Sequence, residues 1–358
     1  MSLSKNYSSI DRFLHYLAFD TPFIHKTLCD LENDIFSKQL ASVQSANEVF
    51  VTALPRAGTT LVLELLYRTD EFSTFSYRHM PFIMAPLLWK KFSKPFAKKA
   101  KKMQRAHGDG MDVSFDSPEA FEEVIWLSQL RNEIVHSNHL KPLSPDIISK
   151  HFSQFFSMSI KKLLLEKGGL ENGIRYLSKN NANCSRIAAI SKMFPNSTII
   201  VPFREPLAHV GSLLKIHQQF SAEHAEDSFS KKYMAWIGHY DIGANFKPID
   251  FDHWLKNRSI ASYDETFWLE YWTAAYRNIL AQESSNICFI NFDQLLLDSK
   301  SILTNLADRI KLKNKEALVS QADMLRSPTS KPVSDSNLPE AVIDSAHRVH
   351  EQLMARQI

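Results

Sequence analysis

Three short runs of apolar and β-branched residues interrupt an otherwise helix-like pattern: Val49-Phe50-Val51-Thr52-Ala53-Leu54, Thr198-Ile199-Ile200-Val201-Pro202-Phe203 and Ile287–Phe292. Each is too short for a buried helix and ends at a proline or a polar cluster, which predicts strands buried on both faces. Pro202 weakens the end of the second run, because proline offers no N–H to a ladder. Weaker strand patterns cover Phe72–Ser76 and Ile174–Leu177. Between the runs the apolar spacing is helical, over 8–43 (Ile10, Phe13, Leu14, Leu17), 59–68, 82–92, 117–131, 147–166, 183–193, 207–218, 264–282, 299–310 and 339–356. The start near 117 rests on Ser117-Pro118-Glu119, good N-terminal chemistry for a helix. The polar segment 221–260 reads as a mobile insertion. Strands alternating with helices predict an α/β fold, a parallel sheet flanked by helices with helical insertions.

Composition narrows the class without naming it. With 44% hydrophobic and 23% charged residues in 358, the chain is an ordinary globular one. Cys29, Cys184 and Cys288 fit neither a disulfide framework nor zinc spacing, so free thiols are expected. The first twenty residues carry Asp11, Arg12, His15 and Asp20 and show no cleavable leader. With no apolar window long enough to span a bilayer, a cytoplasmic protein is expected. The net charge of +3 is uninformative, but Lys90, Lys91, Lys94, Lys98, Lys99, Lys101, Lys102 and Arg105 form an acid-free run. A solvated helix face, or a lure for an anionic acceptor or acidic membrane surface, explains that run. Nucleic acid is not expected, since no recognition motif or aromatic array accompanies it.

The most informative stretch joins the first strand to the following helix: Leu54-Pro55-Arg56-Ala57-Gly58-Thr59-Thr60. Backbone N–H groups at such a helix start face any anion above the loop. Gly58 permits close approach, Thr59 and Thr60 add hydroxyls, and Arg56 supplies a permanent forked cation. This is not the loop of nucleotide triphosphatases. Aligned on its Gly-Lys-Ser/Thr ending, Ala53 replaces the first glycine and Thr59 the lysine that clamps the β- and γ-phosphates.

Pro-Arg-x-Gly-Thr-Thr after a strand resembles the 5′-phosphosulfate loop of sulfotransferases that use 3′-phosphoadenosine 5′-phosphosulfate (PAPS), in the form found in bacterial and tyrosylprotein-type members. The resemblance continues in Arg204 at the end of the strand 198–203, with Ser212 eight positions later, at the spacing of the family's 3′-phosphate site. Phe194-Pro195 and Ile290-Asn291-Phe292-Asp293-Gln294-Leu295 also look like family segments. What it implies is a P-loop NTPase-like sheet in a single domain: a helical lead-in over 1–45, a nucleotide-binding core over 46–310 and a C-terminal loop and helix over 311–358.

The resemblance further implies that Pro55, Arg56, Ala57, Gly58, Thr59 and Thr60 hold the 5′-phosphosulfate. Arg204 and Ser212 would hold the 3′-phosphate, and Arg326 would lie in a covering loop. Sulfuryl transfer needs donor, leaving oxygen and acceptor proton all controlled. The resemblance makes PAPS the expected cosubstrate, and because the transferred group carries less charge than a phosphoryl, no metal is expected. For the general base, His107 (in Arg105-Ala106-His107) and His79 suit the working pH; Asp109, Glu119, Glu122 and Glu123 are the carboxylate alternatives. Leu61 stands where cytosolic members place a tryptophan on the adenine. Tyr271 or Trp272 is a possible substitute, with a place in the helix core as the competing reading. A carbohydrate, a lipid-linked sugar, a peptide or a small metabolite stays open as acceptor, and oligomeric state is not fixed. The competing reading is a nucleotide kinase-like phosphotransferase, which the missing loop lysine disfavours.

Overall fold

The computed structural model describes residues 7–97, 103–104, 112–113, 118–168, 173–256, 263–282, 284–325, 333–334 and 338–358. It begins with α1 (Ser9–Phe19), α2 (Pro22–Ile35), α3 (Ser37–Ser42), β1 (Val49–Val51), α4 (Thr59–Tyr67), β2 (Phe72–Ser73) and α5 (Pro86–Ala97). A small antiparallel pair, β3 (Met103–Gln104) and β4 (Asp112–Val113), precedes α6 (Glu123–Ile134), α7 (Lys150–Glu166), β5 (Arg175–Lys179) and α8 (Ile187–Met193). Then come β6 (Thr198–Phe203), α9 (Pro206–Glu226), α10 (Ser228–Trp236), α11 (Glu265–Leu280) and β7 (Ile287–Asn291). The chain closes with α12 (Phe292–Leu297), α13 (Ser299–Arg309), α14 (Lys315–Val319) and α15 (Glu340–Met354).

The expected α/β architecture is present. Five parallel strands form one sheet in the order β2-β5-β1-β6-β7, so the three strong apolar runs are neighbours in it. Side chains alternate across a strand, and the two faces bury separate clusters. Phe50, Tyr176, Ile199 and Val201 pack against α7, α9 and α11, whereas Val49, Val51, Leu177 and Ile200 pack against α4 and α13.

Several local expectations change. The helical stretch 8–43 is broken into three helices, the first break falling where Pro22 opens α2, since proline suits a first turn but not an interior. Helix α6 starts at Glu123 and not near 117, because Pro118 bridges Ser76 and the Glu119 N–H donates to Phe75. Pro202 is accommodated because β1 pairs with β6 only as far as Ile200, leaving β7 alone beside Pro202. Within 221–260, residues 221–256 are packed structure, with Phe229, Tyr233, Phe246 and Phe251 buried against α9 and α11. Polar composition there reflects the outer face of α9 and α10, not a loose insertion.

Candidate active site

From β1 the chain turns outward to β2 on one side of the sheet, while β6 leads to β7 on the other. The loops after β1 and β6 therefore diverge and leave a crevice beyond the strand ends, the usual place for a ligand in such sheets. Both arginine-bearing turns sit on it.

In the first turn, Ala57 is fully buried and Gly58 adopts φ 102°, in the left-handed region. A side chain at Gly58 would also overlap the Phe292 ring, so two constraints select glycine. Arg56 itself sits at φ 70°, a conformation costly for a residue with a Cβ and characteristic of functional turns. No side chain caps α4, so its first N–H groups face the crevice. By contrast, α9 is capped by Glu205, whose carboxylate accepts from the N–H groups of Leu207 and Ala208 at 3.0 and 2.7 Å. The N–H groups of Leu207 and Ala208 are therefore not offered to an anion, which among the described residues meets side chains there.

Those side chains are Arg204 and Ser212, both on the expected elements and both buried. Arg56 Nε donates to Ser212 Oγ at 3.2 Å, across 156 residues of chain. Arg204 lies with its guanidinium 5.1 Å from the Phe292 ring centre and its Nε 3.8 Å from Asp293. Burial lowers its pKa, an effect that Asp293 and Glu205 oppose. Phe292 thus touches both turns, packing on Gly58 and under Arg204.

His209 locks the two turns together. Fully buried on α9, it shares a 2.7 Å hydrogen bond between Nε2 and the Pro55 carbonyl, and the Trp272 indole N–H donates to its Nδ1 at 3.0 Å. That leaves one consistent tautomer, neutral with the proton on Nε2. Trp272 is accordingly core, with its only polar atom committed to His209. Burial drives the His209 pKa down to about 3, and Arg204 and Arg56 push the same way; burial also takes His25 down to about 4. Groups depressed in the fold bind protons only when unfolded, so their contribution is intact above the ordinary value near 6.5 and is lost as pH falls through it. Each should lower unfolding free energy by about 2 kcal/mol between pH 7 and pH 5. Urea titrations at the two pH values on His209→Gln and the parent check this: a parent slope no steeper than that of the variant would contradict it.

The cleft beneath Arg56 is also lined by Thr59, Thr60, Lys179, Asn181, His239 and Asp241. Lys179 ends β5 opposite Val51 and lies 3.8 Å from Glu119, which accepts from Tyr77 Oη at 3.2 Å and from the Ala120 N–H. A polar chain crosses the floor: Thr59 Oγ1 donates to Asn181 Oδ1 (3.1 Å) and Asn181 Nδ2 donates to Asp241 Oδ2 (3.0 Å). Among the described residues, the other Asp241 oxygen is buried with no hydrogen-bond partner. Lys179, Asp241, His239 and His209 were not readable as site residues from the pattern alone. Lys179 was visible only as a polar residue after a strand, and the others fell in regions read as helix or insertion.

The remaining candidates divide. His79 accepts from the Ser76 N–H through Nδ1 and meets Glu166 at 2.8 Å through Nε2, so one ring nitrogen closes its own turn and the other holds α7. It is not among the residues lining the cleft. Glu122 accepts from Tyr176, Trp126 and Asn183, and Glu123 from Asn180 and Arg186. These two carboxylates hold the β5 turn in place and have no oxygen to spare. His107, Asp109, Arg326 and most of the basic run lie outside the described residues. The three cysteines are free and buried, and among the described residues no helix is long and apolar enough to cross a membrane.

An α/β protein with an uncapped, arginine-bearing helix start at its switch point offers a place for an anion beyond the strand ends. Residues 48–248, more than half of the chain, match the model of the sulfotransferase family. The chain belongs to that family, and a sulfotransferase-type reaction, sulfuryl transfer from PAPS, follows at the level of the family. Among curated proteins no sequence matches it. Solved structures similar to it include sulfotransferase STF1 from Mycobacterium tuberculosis (14% identity, 93% of this chain and 83% of that one, TM-score 0.49). Sulfotransferase STF9 from Mycobacterium avium is similar at 10% identity, covering 90% and 80% with a TM-score of 0.48. The sulfotransferase domain from the curacin biosynthetic pathway is similar at 13% identity, covering 87% and 99% with a TM-score of 0.38.

Proposed function

We propose that this chain moves the sulfuryl group of PAPS to a hydroxyl or amine of its acceptor by in-line displacement, with the nucleotide lying across the crevice between the two arginine turns. The observation that carries this is the Arg56–Ser212 hydrogen bond, which links the elements read as the 5′ and 3′ motifs and so supports one shared site. The loop's position after the central strand supports the P-loop-like reading of the fold, with Arg56 taking over the cationic role of the absent lysine.

In this reading the α4 N–H groups and Arg56 bind the 5′-phosphosulfate, and Arg204 with Ser212 binds the 3′-phosphate. As the acceptor oxygen or nitrogen bonds to sulfur and the bond from sulfur to the bridging oxygen breaks, negative charge gathers on the leaving phosphate. Arg56 and the loop amides meet it there, where preorganised donors contribute most. Lys179, held by Glu119, adds a second cation at the same cleft. The base is Asp241: Asn181 orients one of its oxygens, and the other, buried and without a hydrogen-bond partner among the described residues, is left for the acceptor proton. Single domain organisation, an unidentified acceptor and PAPS as the sole cosubstrate complete the proposal.

Asp241→Asn should lower kcat by about 10²- to 10⁴-fold, the usual range for a general base. Binding of adenosine 3′,5′-bisphosphate, the donor product, should stay within a few-fold of the parent. The assay is transfer of labelled sulfuryl from PAPS to an acceptor extract that supports turnover by the parent. Normal turnover in Asp241→Asn would remove this carboxylate from the mechanism and make His107→Ala the next variant.

A further inference from the structure

A second cavity, of about 1030 Å³, lies between α2, α6 and α7 and shares no lining residue with the cleft of Arg56. It is of the size that accommodates a small-molecule ligand. Its walls are mainly apolar, from Phe19, Phe23, Val124, Leu127, Phe155 and Met158. Phe23, on the wall from α2, is 74% exposed, an aromatic ring left facing water at the edge of an apolar hollow. The charged side chains that line it are unbalanced: Lys26 and Arg131 are exposed, against the single acid Asp30. The third cation, Lys162, is fully buried and held internally by the Met84 carbonyl at 2.9 Å and by Glu32 at 3.4 Å. A thin partition separates this cavity from the groove that runs to Pro55 and Asn181. Leu127 packs against Gly238 there, and Arg131 donates to Tyr240 Oη at 2.8 Å.

We propose that this cavity binds a single-chain anionic amphiphile taken up as a monomer, its alkyl chain between α2, α6 and α7 and its head group against Lys26 and Arg131. Apolar walls with a cationic surplus match that chemistry: methylenes gain from leaving water, while the head keeps a charge partner at the exposed edge. The site is independent of sulfuryl transfer and stands whether or not the nucleotide reading holds.

Calorimetry with octanoate, decanoate and dodecanoate, each below its micelle-forming concentration, tests it. Affinity should rise about fourfold per methylene, so by about two orders of magnitude from the shortest to the longest chain. Ser128→Trp, an exposed position on the lining, should intrude into the hollow and weaken dodecanoate at least tenfold while leaving adenosine 3′,5′-bisphosphate binding unchanged. Lys26→Gln should weaken dodecanoate several-fold but leave dodecanol as it was. Absence of binding, affinity independent of chain length, equal binding by Ser128→Trp, or uptake only in the presence of vesicles would each overturn the proposal.

Discussion

Arg56→Ala should reduce sulfuryl transfer by about 10³-fold while the protein remains folded. Removing one preorganised donor from a developing anion typically costs 10² to 10³ in turnover, and a transferred-group arginine costs more. Arg56 combines the two roles, standing in the turn and also fixing Ser212 through Nε. The fold should survive, because the turn's buried anchors are Ala57 and the Pro55 carbonyl, neither of which the substitution touches. Its left-handed φ is no better for alanine than for arginine, so backbone strain does not change. Initial rates with saturating acceptor, beside a thermal unfolding curve, read the two effects separately. Turnover within tenfold of the parent would mean that Arg56 does not face the sulfuryl group.

Arg204→Ala should weaken adenosine 3′,5′-bisphosphate about 10²-fold and 5′-AMP less than threefold. Each hydrogen bond to a charged group is worth about 1.5–3 kcal/mol, and among the described residues Arg204 is the arginine of the second turn. Glu205 has already taken the N–H groups that open α9, so no backbone donor substitutes for the lost guanidinium. Arg204 is buried between Phe292 and Asp293, and Asp293 keeps water and the Glu205 N–H as partners when the guanidinium is lost. Ser212→Ala serves as the second variant, with no buried charge at stake and a smaller loss, about tenfold, on the bisphosphate alone. Equal weakening of both nucleotides in both variants would assign the second turn to the 5′ end or to structure.

What the sequence made legible was local and strongly patterned. The three apolar runs are neighbouring strands because a doubly covered parallel strand has no solvent face, which leaves an unbroken apolar signature. The two arginine turns were legible because chain order and spacing carry them: strand, Pro55–Thr60, helix, then Arg204 and Ser212. Their proximity was not, since it depends on β1 and β6 being adjacent, a pairing that no local signal encodes. His209 was hidden for a related reason: on a helix it reads as one more residue, and its role arises from contacts to Pro55 and Trp272, each more than sixty residues away. The carboxylates show the reverse failure. Glu119, Glu122 and Glu123 looked like interchangeable acids, but burial turned two of them into acceptors for Tyr176, Trp126, Asn183, Asn180 and Arg186, and set the third beside Lys179.

The same reasoning explains the segment 221–256, read as part of a mobile insertion and found packed. Its polar residues are real, yet Phe246 stacks within 4.8 Å of Trp268 and Tyr263 lies 4.9 Å from Phe246. A few aromatics are enough to pin a polar segment, because each buries a large area for one residue's conformational entropy. That packing carries His239 and Asp241 into the cleft.

Calorimetry of the unaltered protein against adenosine 3′,5′-bisphosphate, 5′-AMP and ATP is the most direct measurement of whether one nucleotide spans both turns. The bisphosphate should bind with one molecule per chain and at least about 10²-fold more tightly than 5′-AMP, the 3′-phosphate meeting a second charged partner, and ATP should gain nothing over 5′-AMP. Equal affinity for bisphosphate and 5′-AMP, or a preference for ATP, would contradict the account.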